Sequence, residues 1–162
     1  MALHSQSSAI ALGSNIGDSL SILEEAIKTL AQTPGITLKS HSSWYKTAPI
    51  GPPQPDYLNG CALLEVSLAP QELLENLLDI EKQFGRLRRE RWGPRTLDLD
   101  ILLFDNLILD TPKLQIPHPQ MRERAFVLVP LAEIAPNLVD PVTGLAIAEL
   151  VQRLDCSGVN LL

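Results

Sequence analysis

The order in which hydrophobic spacing changes along the chain constrains the fold most. Residues 8–12 (SAIAL) read as a buried strand, and Gly13-Ser14-Asn15 turns the chain. Asp18 or Ser19 can cap a helix reaching about Leu30, with Leu20, Leu23, Ile27 and Leu30 on one face. Pro34-Gly35 stops it, and residues 36–47, rich in β-branched and aromatic side chains, predict a second strand. Residues 48–56 (APIGPPQPD) hold four prolines and one glycine and predict a loop. Residues 57–67 predict a third strand, antiparallel to the second. Pro70 fits the first turn of a second helix, 70–84, whose buried stripe is Leu73, Leu77, Ile80 and Phe84 before the stop at Gly85. A fourth strand follows over 96–104, then a short hairpin around Asp105-Asn106 and helical segments near 120–134 and 145–154. The order β-α-β-β-α-β is the α+β, ferredoxin-like pattern with an antiparallel sheet, here with an extra hairpin and C-terminal helices. That pattern alone assigns no activity.

The bulk properties narrow the classes. A chain of 162 residues suits one domain, 1–162, with a substantial core. No apolar run approaches the ~18–20 residues of a membrane span, and the first residues lack the charged-then-apolar pattern of a signal segment, so a cytoplasmic location without membrane attachment is expected. Cys61 and Cys156 have no metal spacing and read as free thiols. The net charge of −6 argues against broad nucleic-acid binding. Residues 86–95 (RLRRERWGPR) nevertheless carry +4, leaving −10 on the rest, and such a basic island on an acidic body suggests a local anion site.

The segment Thr96–Leu103 alternates with period two. Leu97, Leu99, Ile101 and Leu103 are expected to face a core, and Asp98 and Asp100 the opposite side. Neighbouring carboxylates repel unless a proton or a cation lies between them. Hard oxygen donors suit Mg²⁺, which takes one or two carboxylates and completes its shell with water and phosphate oxygens. Arg86, Arg88, Arg91 and Arg95 precede the pair, and a carboxylate pair beside guanidinium groups is what polyphosphate with metal requires. Trp92 is either a flat contact surface or an anchor for its loop. Tyr57 and Asn59 share a strand face, where an aromatic and an amide can stack on a heterocycle and read its edge, or simply pack. Glu81 lies on or beside the buried stripe of the second helix, where carboxylates are uncommon unless paired. Arg122, Arg124 and Phe126 form a further cluster after Pro117-His118-Pro119.

The run Arg91-Trp92-Gly93-Pro94-Arg95-Thr96-Leu97-Asp98-Leu99-Asp100-Ile101-Leu102 resembles the signature of the 6-hydroxymethyl-7,8-dihydropterin pyrophosphokinase family. Supporting blocks occur in order: Ala11–Asn15, Tyr45-Lys46-Thr47, Pro49-Ile50-Gly51, Gln54–Asn59, Ile116-Pro117-His118, Arg124-Ala125-Phe126, and Pro130-Leu131 with Glu133–Pro136. The resemblance implies transfer of the terminal diphosphate of ATP to the hydroxymethyl group of the reduced pterin, with AMP leaving, in folate synthesis. It implies that Asp98 and Asp100 bind two Mg²⁺ ions. Arg86, Arg91 and Arg95, with Trp92, would belong to a loop closing over both substrates, with Arg88 on its phosphate side. Tyr57 and Phe126 would sandwich the pterin, Asn59 would bond its edge, and Thr47 with backbone near Ala48 and Ile50 would complete that pocket. Glu81 would lie near the nucleotide, His118 and Arg124 would touch the triphosphate, and backbone around Ile101 and Ile116 would read adenine. Ala48 stands where many members have proline, and Pro119 follows His118 where an aromatic residue can occur.

Two other classes use some of the same residues. A metal-dependent nucleotidyltransferase or nuclease could employ the aspartate pair without an aromatic sandwich. A sheet bearing Tyr57, Trp92 and Phe126 could stack on single-stranded RNA, against which the acidic total charge and paired aspartates argue. No long exposed apolar stripe demands a partner subunit, so a monomer is expected.

Overall fold

A computed structural model describes residues 5–15, 17–48, 53, 55–85 and 96–162. The elements run β1 (Gln6–Ser14), α1 (Ser19–Gln32), β2 (Ile36–His41), β3 (Tyr45–Thr47), β4 (Tyr57–Val66), α2 (Pro70–Gln83), β5 (Asp98–Phe104), β6 (Leu109–Asp110), β7 (Gln115–Ile116), a 3-10 turn (Met121–Glu123), α3 (Ala125–Ile134), α4 (Ile147–Val151) and β8 (Asn160–Leu161). The main sheet is antiparallel in the order β5-β1-β4-β3-β8, with β2 also paired to β4. The ferredoxin-like expectation is met. β1 and β4 are the long inner strands, and α1 and α2 are the two connecting helices.

Alternation along each strand gives the sheet two apolar faces. Ile10, Leu12, Ala62, Leu64, Leu97, Leu99 and Ile101 meet α1 and α2 through Leu23, Leu30, Leu73 and Leu77. Ala9, Cys61, Leu102 and Leu103 meet α3 and α4 through Leu128, Leu131, Ile147 and Leu150. The result is three layers, with the sheet between two helix pairs. Among the described residues, no helix is long and apolar enough to cross a membrane. Both cysteines are free, as expected.

Several details depart from the sequence expectation. The period-two pattern of β5 does not persist to Leu103. The register with β1 shifts between Ala9 and Ile10, which pair with Leu103 and Ile101, so Leu102 is an extra, bulged residue. Leu103 therefore joins Leu102 under α3, and Phe104 takes the inner position beneath α1 and α2. The expected strand 36–47 is two strands. At the break, Ser42 bonds both ways with Cys61, its N–H to the Cys61 carbonyl and its Oγ from the Cys61 N–H. Trp44 lies against Gly60, where an added Cβ would meet the indole at 2.5 Å. Leu20 is 38% exposed, and Ala26 takes its expected place in the buried stripe of α1. The hairpin is built by β6 and β7 rather than around Asp105-Asn106, which only turns the chain, Asp105 at a φ of 48°.

Asp18 caps α1 by accepting from the Ser21 N–H at 3.3 Å. On the other side of the sheet, the fully buried Asp140 fixes the connection between α3 and α4. It accepts from Arg122 Nε and, at 2.9 Å, from Nη2, and also from the Val142 N–H and the Thr143 hydroxyl. Burial pushes the Asp140 carboxyl up, but these bonds outweigh it and hold the group below the usual carboxylate range. Arg122 is thus a structural cation, distinct in role from Arg124. An Asp140→Ala variant leaves Arg122 without its partner and should lose about 3–5 kcal/mol in urea unfolding at neutral pH. Because the folded pKa is depressed, that stabilisation is present above the unfolded value of about 3.9 and disappears as pH falls through the lower folded value. The gap between wild type and variant should therefore close in acid.

Candidate active site

The register of the sheet brings the separated sequence blocks into one row. Gly13 on β1 pairs with Asp98 on β5 and with Asn59 on β4, and Asn59 pairs with Tyr45 on β3. Ala11 lies between Asp100 and Cys61 in the next row on that face. Paired residues share a sheet face, so Asp98, Asp100 and Asn59 all project toward the α3 side. Cys61 is already under α3, its thiol on the Val127 carbonyl at 3.5 Å. Beyond the first residues of α3 the sheet surface is open, and a cavity of about 580 Å³ lies there.

Tyr57, Asn59, Thr47, Ala48, Asp98, Asp100, Arg124 and Phe126 all line this cavity. The structure thus brings together all the sequence-expected pterin-side residues that it describes, together with the aspartate pair. Asn59 donates from Nδ2 to the Thr47 hydroxyl at 2.9 Å. That bond sets the amide plane, and Oδ1 turns over Gly13, where an added Cβ would stand 3.0 Å from it. Gly13 is therefore the thin part of the cavity floor. Arg124 lies over the Phe126 ring, its guanidinium carbon 5.5 Å from the centroid, and is held by the Gln120 amide oxygen.

A second cavity, of about 250 Å³, opens on the other side of β5. Leu74, Leu99, Ile101, Leu114 and His118 are among its walls. Among the described residues, Asp100 alone borders both cavities. β5 is an edge strand, and edge peptide groups can bond a ligand. Glu81, 2% exposed, takes one of them: its Oε2 accepts the Leu99 N–H at 2.8 Å. The Glu81 carboxylate so grips the peptide between the two aspartates, and it lines neither cavity. Ile101 is two residues further on, so its peptide groups point to the same outer edge. Ile116 is buried in β7 and lines neither cavity.

His118 donates its backbone N–H to the carbonyl of the bulged Leu102 at 3.0 Å, and its Nδ1 accepts the Gln120 N–H at 3.2 Å. Burial, then the nearby positive charge of Arg124, pushes its pKa down, with Asp98 opposing. The ring is therefore neutral at pH 7, with Nε2 free to carry the proton. Ile50, Arg86, Arg88, Arg91, Trp92 and Arg95 lie outside the described residues.

Sequence reasoning missed several members of the lining. Ala11 and Gly13 belong to the block Ala11–Asn15 but carry no site role in the sequence reading, and Gln120, Glu123, Asp155, Gly158 and Val159 have no part in it. The glycine and alanine of β1 carried a usable signal, since small residues on a strand face opposite Asp and Asn leave room for a ligand. Residues 155–159 carried none, because only the pairing of β8 with β3 brings them there.

The α3 side of the row is secured by Glu133. Its carboxylate accepts from the Tyr45 hydroxyl at 2.6 Å, the Ser43 N–H at 2.9 Å and the Ser43 hydroxyl at 3.1 Å. Burial, then the bond to this carboxylate, pushes the Tyr45 phenol up to about 12.

The architecture is that of a ferredoxin-like α+β protein with a carboxylate pair on its edge strand and an aromatic-lined cavity on the sheet. Comparison with known proteins identifies the group. A family model described as 7,8-dihydro-6-hydroxymethylpterin-pyrophosphokinase (HPPK) matches residues 9–136, and the chain belongs to that family. Over 150 residues it is 55% identical to the 2-amino-4-hydroxy-6-hydroxymethyldihydropteridine pyrophosphokinase of Synechocystis sp., covering 93% of this chain and 77% of that one. It is 48% identical over 145 residues to the protein of the same name from Haemophilus influenzae, covering 89% of this chain and 90% of that one. Among solved structures it is similar to Plasmodium falciparum HPPK-DHPS with pterin and p-hydroxybenzoate, with a TM-score of 0.74 at 13% identity, a likeness of fold. That match covers 94% of this chain, which spans 43% of the Plasmodium chain.

A spectrophotometric titration should show one of the two tyrosines ionising only near 12. Replacing Glu133 with Gln should bring it part of the way back toward about 10. A tyrosine spectrum unchanged by that substitution would mean that the Tyr45–Glu133 bond does not exist in solution.

Proposed function

We propose that the protein transfers the terminal diphosphate of ATP to the hydroxymethyl group of 6-hydroxymethyl-7,8-dihydropterin and releases AMP, as a step of folate biosynthesis. The observation that carries this most is the position of Asp100, which borders both the aromatic-lined cavity and the cavity outside β5. A ring in the first and a nucleotide in the second would meet at the aspartates.

The pterin would lie between Tyr57 and Phe126, both of which line the first cavity. Asn59 presents Oδ1 as an acceptor for ring N–H groups, its amide held by Thr47. Backbone near Ala48 and Ile50 would complete the edge. On the nucleotide side, the outward peptide groups of Ile101 suit the base, with Ile116 behind them. His118 offers Nε2–H to phosphate oxygens, and Arg124 offers positive charge at the rim between the cavities. Arg86, Arg88, Arg91 and Arg95, with Trp92, would close over the polyphosphate. Glu81 would act on the nucleotide side through the β5 backbone that it grips.

Asp98 and Asp100 would hold Mg²⁺, two ions in the proposed mode. Among the described residues no group of three or more His, Cys, Asp and Glu side chains is placed to hold a metal. A two-carboxylate site completed by phosphate oxygens and water fits magnesium, which seldom uses a full protein cage. Held by Asp98 and Asp100, magnesium would supply neutralisation of phosphate charge and acidification of the attacking alcohol. In this reading Asp100, which adjoins both cavities, would take the hydroxymethyl proton as the oxygen attacks the β-phosphorus and AMP departs in line. Arg124 and the basic loop would stabilise charge growing on the transferred group. We further propose that residues 1–162 act as one domain and as a monomer in the cytoplasm, with no nucleic-acid or membrane partner.

Incubation with ATP, Mg²⁺ and hydroxymethyl-dihydropterin, followed by nucleotide chromatography, should yield AMP and the pterin diphosphate. Release of pyrophosphate, or no turnover, would refute the assignment. Asp98→Ala and Asp100→Ala should each slow turnover on the order of 10³-fold or more.

A further inference from the structure

The cavity crosses the sheet from edge to edge. Asp98 and Asp100 stand at one end, on β5, and the other end is lined by Gly158 and Val159, which lead into β8. Four strand-to-strand steps separate β5 from β8, about 19 Å at ~4.8 Å per step. The lining segment is held firmly. Lys46 pairs with Asn160 and Tyr45 with Leu161, and the Leu162 N–H donates to the Trp44 carbonyl at 3.0 Å. Before the strand, the Val159 N–H bonds the Cys156 carbonyl at 3.1 Å, and the Asp155 carboxylate accepts the Ser157 N–H at 3.0 Å. Continuing the register by one residue sets Val159 opposite Thr47, whose hydroxyl holds the Asn59 amide. The family model ends at residue 136, so this wall is built by chain beyond the part that it matches.

We infer that the segment ending in β8 is a wall of the acceptor-substrate pocket and that Val159 is a specificity-determining residue touching the pterin edge remote from the hydroxymethyl group. This rests on the pterin reading of the cavity. The phosphate chemistry must lie at the β5 end, where the carboxylates are. The end formed by Thr47 and Val159 therefore receives the heterocycle, and a half-buried valine there adds apolar contact with the ring and excludes water from its edge. Val159 has no part in holding ATP.

The test is steady-state kinetics on the full chain, with pterin and ATP varied in turn, for wild type, Val159→Ala and Asn160→Pro. Proline at 160 cannot donate to the ladder and should loosen the wall without altering Val159 itself. Thermal unfolding of each variant accompanies the rates. The expected result is a rise in pterin KM of about tenfold in both variants, the low end for lost apolar contact in a pocket, with ATP KM unchanged. Unchanged pterin KM in both variants, with a wild type that turns over normally, would overturn the wall and leave the pterin reading intact. A parallel rise in both KM values, or a fall in unfolding temperature with pterin KM unchanged, would make the segment merely structural and would also overturn it. A wild type that forms no pterin diphosphate would remove the reading on which the wall rests.

Discussion

Strand β1 is paired on both sides, and the rest of the site depends on that double pairing. At Gly13 it sets Asp98 on one flank and Asn59 on the other. Two inter-strand steps put their Cα atoms roughly 10 Å apart. The two residues are far apart in sequence, and the strand between them is what brings them together. A slip of one residue in either ladder would turn the aspartates, or the asparagine, to the opposite face and into the core beneath α1 and α2. The register is guarded by the apolar positions on each face, Ile10 and Leu12 inward and Ala9 toward α3, which cannot exchange without burying charge.

The two faces of the sheet divide the labour. The α1–α2 side is a closed core that fixes the strands. On the other side α3 covers only part of the surface, and the uncovered remainder becomes the cavity. Small residues at Ala11 and Gly13 make its floor, and the aromatics Tyr57 and Phe126 stand in its walls. Carboxylates from α-helices anchor the periphery. Glu81 on α2 grips the Leu99 peptide between the two aspartates, and Glu133 on α3 holds Tyr45 and Ser43 on the opposite edge. Each carboxylate accepts hydrogen bonds, which lowers the cost of its position and makes the strand it holds less free to shift.

Much of this was legible in the residue pattern. Apolar and β-branched runs located the strands, and helical spacing the two helices, of the ferredoxin-like core, because most of both sheet faces is buried and each helix has one apolar stripe. Asp98 and Asp100 stood out because two charges interrupt an otherwise apolar strand. The alternation could not reveal the bulge at Leu102, since Leu102, Leu103 and Phe104 are all apolar and either phase buries them. The break between β2 and β3 was hidden because Ser42 replaces a ladder contact with its own side chain. Glu81 stands out as an odd carboxylate, but it accepts from the Leu99 backbone N–H, a donor that every residue except proline carries. The contribution of residues 155–159 depends on β8 reaching β3 across more than a hundred positions, and short polar stretches near Gly158 carry no periodicity that would announce it.

The central claim is that a flat ring and a polyphosphate meet at the aspartate pair, and a crystal structure of the protein with Mg²⁺, a non-hydrolysable ATP analogue and hydroxymethyl-dihydropterin tests it most directly. The account predicts the pterin between Tyr57 and Phe126, with cation density about 2.0–2.1 Å from carboxylate oxygens of Asp98 and Asp100. A heterocycle bound elsewhere, or both carboxylates directed away from any cation, would contradict it.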